Sequence, residues 1–279
     1  MFADLHLHTH FSDGTYSPEE LAGHAHRLGF GTIALTDHDT VQGCARMAVA
    51  CAALQMEFIP ATELTAEIDG DEVHLLGMFL NPTHPRLLVE TAKYQKVRTD
   101  RIYEMVSRLN KQGVPLKPEV VFKLANCQSP GRPHVARALV QEGICRNMDE
   151  AFDRFLKKHR VAWVPKFKVS AGDAIALIHE AGGLAILAHP GLNRNDSSIP
   201  KLIEEGLDGL ECFHSKHGDA ASQHYLSLAE KYHVLVTGGS DCHGMSKGKP
   251  LIGTIKLPYS YVVALKEKVA SRGGSAVVA

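Results

Sequence analysis

The sequence predicts an α/β protein whose mostly parallel sheet closes, or nearly closes, into a barrel, with a helical segment inserted partway along. Three observations carry this expectation. Short apolar runs alternate with amphipathic, helix-like segments up to residue 79 and again from residue 172 onward, the pattern of strand–helix units in a parallel sheet. Residues 84–166 break that rhythm and read as helix. Histidines and acids gather directly after the apolar runs, where a parallel barrel places its functional side chains.

Residues 2–8 alternate, so Leu5 and Leu7 share one face and Asp4, His6 and His8 the other. Ser17-Pro-Glu-Glu20 combines a capping serine, a proline at the first helical position and a glutamate three residues after the cap. It predicts a helix to about Leu28, stopped by Gly29. A strand at Thr32–Leu35 leads into Thr36-Asp37-His38-Asp39, and Asp39 is expected to cap the next helix, which runs to about residue 55. Phe58-Ile59-Pro60 leads to Thr62-Glu63, and residues 64–79 read as a hairpin turning at Asp69-Gly70.

The inserted stretch holds a long amphipathic run from about 86 to 111, then shorter ones near 117–125, 133–142 and 148–158. A helix from about Gly172 to Ala181, capped by Ser170, restores the alternation. Strands follow at Leu184–Ala188, Gly209–Phe213 and Val234–Thr237, with helices near 199–205, 219–232 and 260–271. The expected organisation is a barrel built from 1–83 and 167–279, with 84–166 as a helical insertion over it.

The 279 residues are 44% hydrophobic with a net charge of −1. That balance fits a globular chain and offers no global basic field for nucleic acid. No apolar run is long enough to span a bilayer, and MFADLHLH lacks a signal core, so a cytoplasmic, non-membrane protein is expected. Six cysteines without a CxxC pair read as reduced core or loop thiols. No obligate protein partner is expected.

Seventeen histidines are the anomaly. Taken singly, His24, His26, His84, His159, His179, His224 and His233 are expected to be ordinary hydrogen-bonded residues. Others form an ensemble at strand ends: His6, His8 and Asp13 after the first strand, His38 after the second, Glu63 after the third, His74 on the hairpin, His189 after Leu184–Ala188, and Asp241 and His243 after the last. Convergence of so many nitrogen and carboxylate donors on one barrel mouth predicts a metal centre. Cys242 should point away from it by alternation, and Glu211 has no assignable role.

The motifs DLHLHTHFSDGT, LTDHD, the lone Glu63, HLLG at 74–77, AHPG at 188–191 and GSDCHG at 239–244 resemble, in order and over residues 4–244, those of the polymerase and histidinol phosphatase (PHP) family. The resemblance implies a distorted (β/α)7 barrel and a multinuclear metal centre that hydrolyses phosphate esters. It implies three metal sites: His6, His8, Glu63 and Asp241; a bridging Glu63 with His74 and His189; and Asp13, His38 and His243. The long insertion and its GRPHVARAL segment are similar to the branch holding nucleotide 3′,5′-bisphosphate phosphatases and the 5′-to-3′ exoribonuclease called ribonuclease AM. The implied substrate is therefore a small phosphorylated molecule, a nucleotide or short RNA, with the insertion as its lid.

The donor set has no thiolate and suits two or three ions of Mn²⁺, Fe²⁺ or Zn²⁺; the resemblance favours Mn²⁺. A water shared by two such ions ionises near neutral pH and serves as nucleophile, with Glu63 as the bridge between the ions and Asp241 a further catalytic candidate. Arg132 and His134 flank Pro133 at a helix start and are candidates for a substrate phosphate. Within His214-Ser-Lys-His217, His217 is a candidate leaving-group acid or phosphate ligand. Arg98, Arg101, Arg160 and Lys166 are weaker candidates, since helix charges usually face solvent. Three other readings compete: a histidinol-phosphate-type phosphatase, a non-catalytic metal-binding module and a metal-dependent amidohydrolase. The first has a cationic substrate that a basic lid disfavours; the second is marked by lost ligands, and none is missing; the third would more often carry a carbamylated lysine or a mononuclear site, and no lysine follows a strand end in the right place.

Overall fold

A computed structural model describes residues 1–165, 169–193 and 195–273; Lys166 lies outside the described residues. The chain opens with β1 (Phe2–Asp4), α1 (Pro18–Arg27), β2 (Phe30–Leu35), α2 (Cys44–Ala53), β3 (Glu57–Ile68) and β4 (Asp71–Met78). The inserted stretch forms α3 (Pro85–Lys111), α4 (Pro118–Ala125), α5 (Arg132–Gln141), α6 (Met148–Ala151) and a π-helical turn (Phe152–Leu156). There follow β5 (Val169–Ser170), α7 (Ala171–Glu180), β6 (Leu184–Leu187), α8 (Pro190–Asn193) and α9 (Ser198–Glu204). The chain ends with β7 (Gly209–His214), α10 (Asp219–Tyr232), β8 (Leu235–Gly239), a 3₁₀ turn (Gly244–Lys247), β9 (Leu257–Pro258) and α11 (Tyr259–Ser271).

The helix starts follow their local chemistry. Ser17 accepts from Glu20 N–H while the Glu20 carboxylate accepts from Ser17 N–H, a complete capping box on α1. Ser170 caps α7 by accepting from Asp173 N–H. Asp39 does not cap α2, whose N-cap is Gly43. Its carboxylate instead accepts from Arg98 Nε of α3 at 2.5 Å.

The strand order is β8-β7-β6-β4-β3-β2-β1-β9, with β5 beside β3. Pairs β1–β2, β2–β3, β6–β7 and β7–β8 are parallel, as the alternation predicts. The hairpin is the distortion: β4 runs antiparallel to both β3 and β6. Its two-residue turn places Asp69 at φ 52° and Gly70 at φ 87°, which matches the right-handed twist of the strands it joins. The short β9, antiparallel to β1, carries no sequence signal long enough to detect.

The sheet curls until its ends meet. Leu5 N–H donates to Gly238 O (3.1 Å), Asp241 N–H to His6 O (2.9 Å) and His8 N–H to Cys242 O (3.0 Å). A Cβ on Gly239 would sit 2.3 Å from His6 Cβ, so only glycine lets β8 approach this closely. The result is a nearly closed, distorted α/β barrel whose ends are zipped beside the two N-terminal histidines.

One apolar cluster packs helices α1, α2, α7 and α10 on the outer face of the barrel. A second fills the interior with Leu5, Ile59, Leu76, Met78 and Ile186, closed by Val262, Leu265 and Val269 of α11. A third belongs to the inserted helices, with Ile102, Met105, Val121, Val135, Leu139 and Leu156 among its members. Among the described residues no helix is long and apolar enough to cross a membrane.

Asp208, before β7, pins the last helix to the barrel. Its carboxylate is buried and accepts from His179 Nε2 (2.8 Å), Ala185 N–H (3.0 Å) and Arg272 NH1 (3.0 Å). Burial would raise its pKa, but these donors outweigh it and hold the carboxyl below the usual range. A depressed folded-state pKa contributes stability above the unfolded value, near 3.9, and loses it as pH falls through the folded one. Asp208→Asn should therefore destabilise the protein by about 2–4 kcal/mol at neutral pH, with the gap closing in acid. Urea unfolding of both proteins across a pH series checks this; a gap unchanged in strong acid contradicts it.

Candidate metal centre

The barrel mouth gathers its donors from six separate stretches of chain: 6–13, 38, 63, 74, 189 and 241–243. His6 and His8, two residues apart on an extended segment, are fully buried with ring centroids 5.1 Å apart. Glu63 comes from the middle of β3, not from a strand end as the pattern suggested, and His38 bridges to it across the sheet. His74 lies on β4, opposite Thr65. His189 and Asp241 take positive φ, 30° and 54°, a conformation rare outside glycine that turns both side chains into the mouth. His189 also precedes a proline, which disfavours the helical region and reinforces the sharp exit from β6.

Glu63 is the hub. Its Oε1 lies 2.7 Å from His74 Nδ1 and 3.1 Å from His189 Nε2; its Oε2 lies 2.9 Å from His38 Nδ1 and 3.4 Å from both His6 Nε2 and His8 Nε2. Asp241 Oδ1 is 3.5 Å from His6 Nε2 and 3.3 Å from His8 Nε2. Asp13 Oδ1 is 3.1 Å from His243 Nε2 and 3.9 Å from His38 Nε2.

These spacings test the fit of a cation. A tetrahedral ion with bonds of about 2.1 Å holds its ligand atoms about 3.4 Å apart, and His6 and His8 Nε2 lie 3.4 Å from Glu63 Oε2 and 3.5 and 3.3 Å from Asp241 Oδ1. Buried His6 Nε2, both His8 ring nitrogens, Asp13 Oδ1, His38 Nδ1 and Glu63 Oε2 make no hydrogen bond. Buried polar atoms are otherwise almost always satisfied, so a converging set of orphans fits divalent cations. Among the described residues five groups of three or four donors lie within 4.8 Å: His6, His8 and Asp241; His6, Glu63 and His189; His6, Glu211 and His214; His38, Glu63 and His74; and His8, Asp13, His38 and His243.

The electrostatics agree. Burial opposes ionisation of Glu63, Asp13 and Asp241, yet the surrounding imidazoles hold all three carboxyls well below their usual range. Burial, then the nearby His243, keeps His8 neutral with a pKa of about 3. Among the described residues no lysine or arginine forms an ion pair with Asp13, Glu63, Glu211 or Asp241. The compensating charge must come from protonated imidazole or from metal.

A layer of acids behind the donors aims them. Glu211, unassignable from sequence, accepts from His6 Nδ1–H (3.0 Å) and from His189 N–H (2.7 Å), which leaves His6 Nε2 facing the mouth. Asp37 accepts from Thr9 N–H (2.8 Å) and Ser12 Oγ (2.6 Å), fixing the loop that carries Asp13. Asp4 accepts from Ser240 N–H (2.9 Å) beside Asp241. His214 was missed among the donors. It is fully buried, with Nε2 3.5 Å from Asp241 Oδ2. Strict alternation puts it opposite Glu211, but the register of β7 on β8 shifts between Glu211 and Phe213. This bulge returns His214 to the Glu211 face.

The remaining candidates separate. Arg132, half-buried at the start of α5, lines a cavity of about 370 Å³ with Arg101, Lys158, Trp163 and Glu72. His134 is buried and its Nδ1 accepts from Gly131 N–H (3.0 Å), so it orders the α5 start. His217 does not have the free nitrogen expected of an acid. Its Nδ1–H donates to Cys212 O (3.0 Å) and its Nε2 accepts from Gly191 N–H (3.2 Å). Cys242 is buried and bridges Leu7, a structural thiol as expected. His179 and His224 form ion pairs with Asp208 and Asp196, in keeping with ordinary structural roles.

A profile of the PHP domain matches residues 4–154. The 5′-3′ exoribonuclease Rnm of Escherichia coli (strain K12) is 32% identical, the match covering 86% of this chain and 84% of that one. The 3′,5′-nucleoside bisphosphate phosphatase of Chromobacterium violaceum is 28% identical over 90% of each. A Bifidobacterium adolescentis crystal structure, described as a metal-dependent phosphoesterase, superposes with a TM-score of 0.89 at 31% identity, covering 95% of this chain and 96% of that one.

Two substitutions weigh the hub against its support. Glu63→Ala should remove more than one equivalent of bound metal and lower phosphatase activity by orders of magnitude, because one carboxylate serves two ligand groups. Glu211→Ala should keep the ligand set but weaken metal affinity about 10- to 100-fold. Metal content by mass spectrometry and a chelator-competition titration distinguish them; wild-type metal content in Glu63→Ala would refute the shared hub.

Proposed function

The chain belongs to the PHP family, and from that premise we propose that it is a metal-dependent phosphoesterase acting on nucleotide phosphate esters, either 3′,5′-bisphosphate nucleotides or the 5′ ends of short RNA. In this reading His6, His8, Glu63 and Asp241 would hold one cation; Glu63, His74 and His189 a second; and Asp13, His38 and His243 a third. The nitrogen and oxygen donors suit Mn²⁺, with Fe²⁺ and Zn²⁺ as alternatives. Bound divalent cations supply an acidified water and neutralise charge on the phosphoryl oxygens.

The protein's own residues supply position and charge. Glu63 and Asp241 stay ionised across the working pH range because imidazoles surround them. The helices between 84 and 166 act as a lid that carries the substrate contacts. The cavity at Arg132 is the observation that carries the substrate class. Burial, followed by the nearby Arg132 and Arg98, lowers Arg101 to about 9. Arg101, Arg132 and Lys158 outnumber Asp71 and Glu72 in the lining, which favours an anion among them, and a guanidinium fork matches two phosphate oxygens. A substrate with one phosphate at the metals and another here is a nucleoside bisphosphate or a 5′-phosphorylated RNA end. Histidinol phosphate would bring an ammonium to the same arginines. His217 enters this mechanism only by holding the turn into α8.

The test is a panel given to metal-loaded enzyme: a simple phosphomonoester, a nucleoside 3′,5′-bisphosphate, a 5′-phosphorylated RNA and histidinol phosphate. The bisphosphate or the RNA should lead. Arg132→Ala should lower kcat/KM on the leading substrate by roughly thirty- to a thousandfold, the equivalent of about 2–4 kcal/mol, and shrink its lead over the monoester. Histidinol phosphate in first place, or an equal loss on every substrate, would refute the assignment of Arg132 to a second phosphate.

A further inference from the structure

The start of α5 divides two cavities. Arg132 lines the cationic one, while its neighbour Pro133 lines a second cleft of about 190 Å³. Asp13 and His243 of the candidate metal centre line this cleft together with Met148 and Phe152. It is thus a recess beside the third group of donors, apolar where Pro133, Met148 and Phe152 line it and polar at Asp149 and Ser246. Phe152 begins the π-helical turn, whose wide loop closes through Lys157 N–H to Phe152 O at 3.0 Å. Such turns are uncommon and recur at functional sites. Phe152 and Met148 both remain partly exposed although each borders the third apolar cluster, so their faces are available to a ligand.

Three features define what belongs there. The occupant is attached to a phosphate held at the metals, because donor residues are part of the lining. It is flat, with an apolar face and a polar edge, because a proline, a thioether and a phenyl ring line the cleft together with Asp149 and Ser246. Its molecule carries a second anion, because the cationic cavity begins one residue away. A sugar phosphate meets the first and third conditions but leaves the apolar wall against water. We propose that this cleft is the nucleobase subsite, with the base stacked on Phe152 and Met148 and Pro133 packed at its edge. The proposal rests on the phosphoesterase reading above and deepens it: the enzyme selects its substrate by base as well as by second phosphate.

The experiment compares kcat/KM for a nucleoside 3′,5′-bisphosphate with that for the matching ribose bisphosphate lacking a base. The wild type should prefer the nucleoside by about 5- to 150-fold, the range for one base on one aromatic ring. Phe152→Ala should collapse that ratio towards unity, Phe152→Tyr should keep it, and Met148→Ala should reduce it in part. Equal use of both substrates by the wild type overturns the subsite while leaving the phosphoesterase reading standing. So does a fall by one common factor on both substrates in Phe152→Ala. Hydrolysis of neither, with turnover of a simple phosphomonoester retained, removes the nucleotide reading itself and the subsite with it.

Discussion

Glu63 is a carboxylate that the barrel buries almost completely and faces with five imidazole nitrogens. An isolated buried carboxylate is too costly to keep, and it persists only where opposite charge or donors meet it. Lysine or arginine in that place would neutralise it permanently. Imidazole neutralises it conditionally, because a neutral ring gives its lone pair to a cation and an imidazolium gives only a proton. Choosing histidine therefore gives the mouth of the barrel groups of donors that could hold a metal ion. It also forces segments distant in sequence to meet within a few ångströms, which the closed sheet accomplishes. The glycine at 239 that permits closure is as necessary to the site as any ligand.

Behind the ligands, acids do the work that a hydrophobic core does elsewhere. Burial raises Asp4 to about 7 and Asp37 to about 6 despite the hydrogen bonds each accepts. Both sit on backbone amides and hydroxyls of the ligand loops. Glu211 grips a ligand ring and a ligand amide at once. These bonds set the tautomer of His6 and the path of two loops before any cation arrives, so little reorganisation is left for binding. The cost is backbone strain at His189 and Asp241, which these anchors and the sheet closure sustain.

Most of the barrel was legible because its signals are local: capping residues, a two-residue turn and apolar runs of strand length. The ligand set was legible for a different reason. Donor residues placed at the ends of successive strands can only meet if those strands are neighbours, so HxH, DH and DxH in order already implied a common mouth. What stayed hidden depends on register and on non-local packing. His214 needed the bulge in β7, which no residue type announces. Asp39 looked like a cap because its true partner, Arg98, lies far along the chain. His217 looked free because both of its partners are backbone atoms. Phe152 read as one more apolar position of a helix, and only the fold brings it into one cleft with Asp13 and His243.

The inserted helices do more than cover the mouth. Arg98 of α3 holds Asp39, the residue after His38; Ser129 Oγ donates to His38 O at 2.5 Å; and an Arg137 guanidinium N–H donates to Asp13 O at 2.5 Å. Each bond falls on, or directly beside, a donor of the third group. The lid therefore cannot move as a rigid flap without disturbing the ligands beneath it. A substrate that binds the arginine cavity and the Phe152 cleft acts on the same helices that set the backbone of Asp13 and His38. If the proposed contacts hold, substrate recognition and completion of the metal centre would be one structural event, since the same helices touch both.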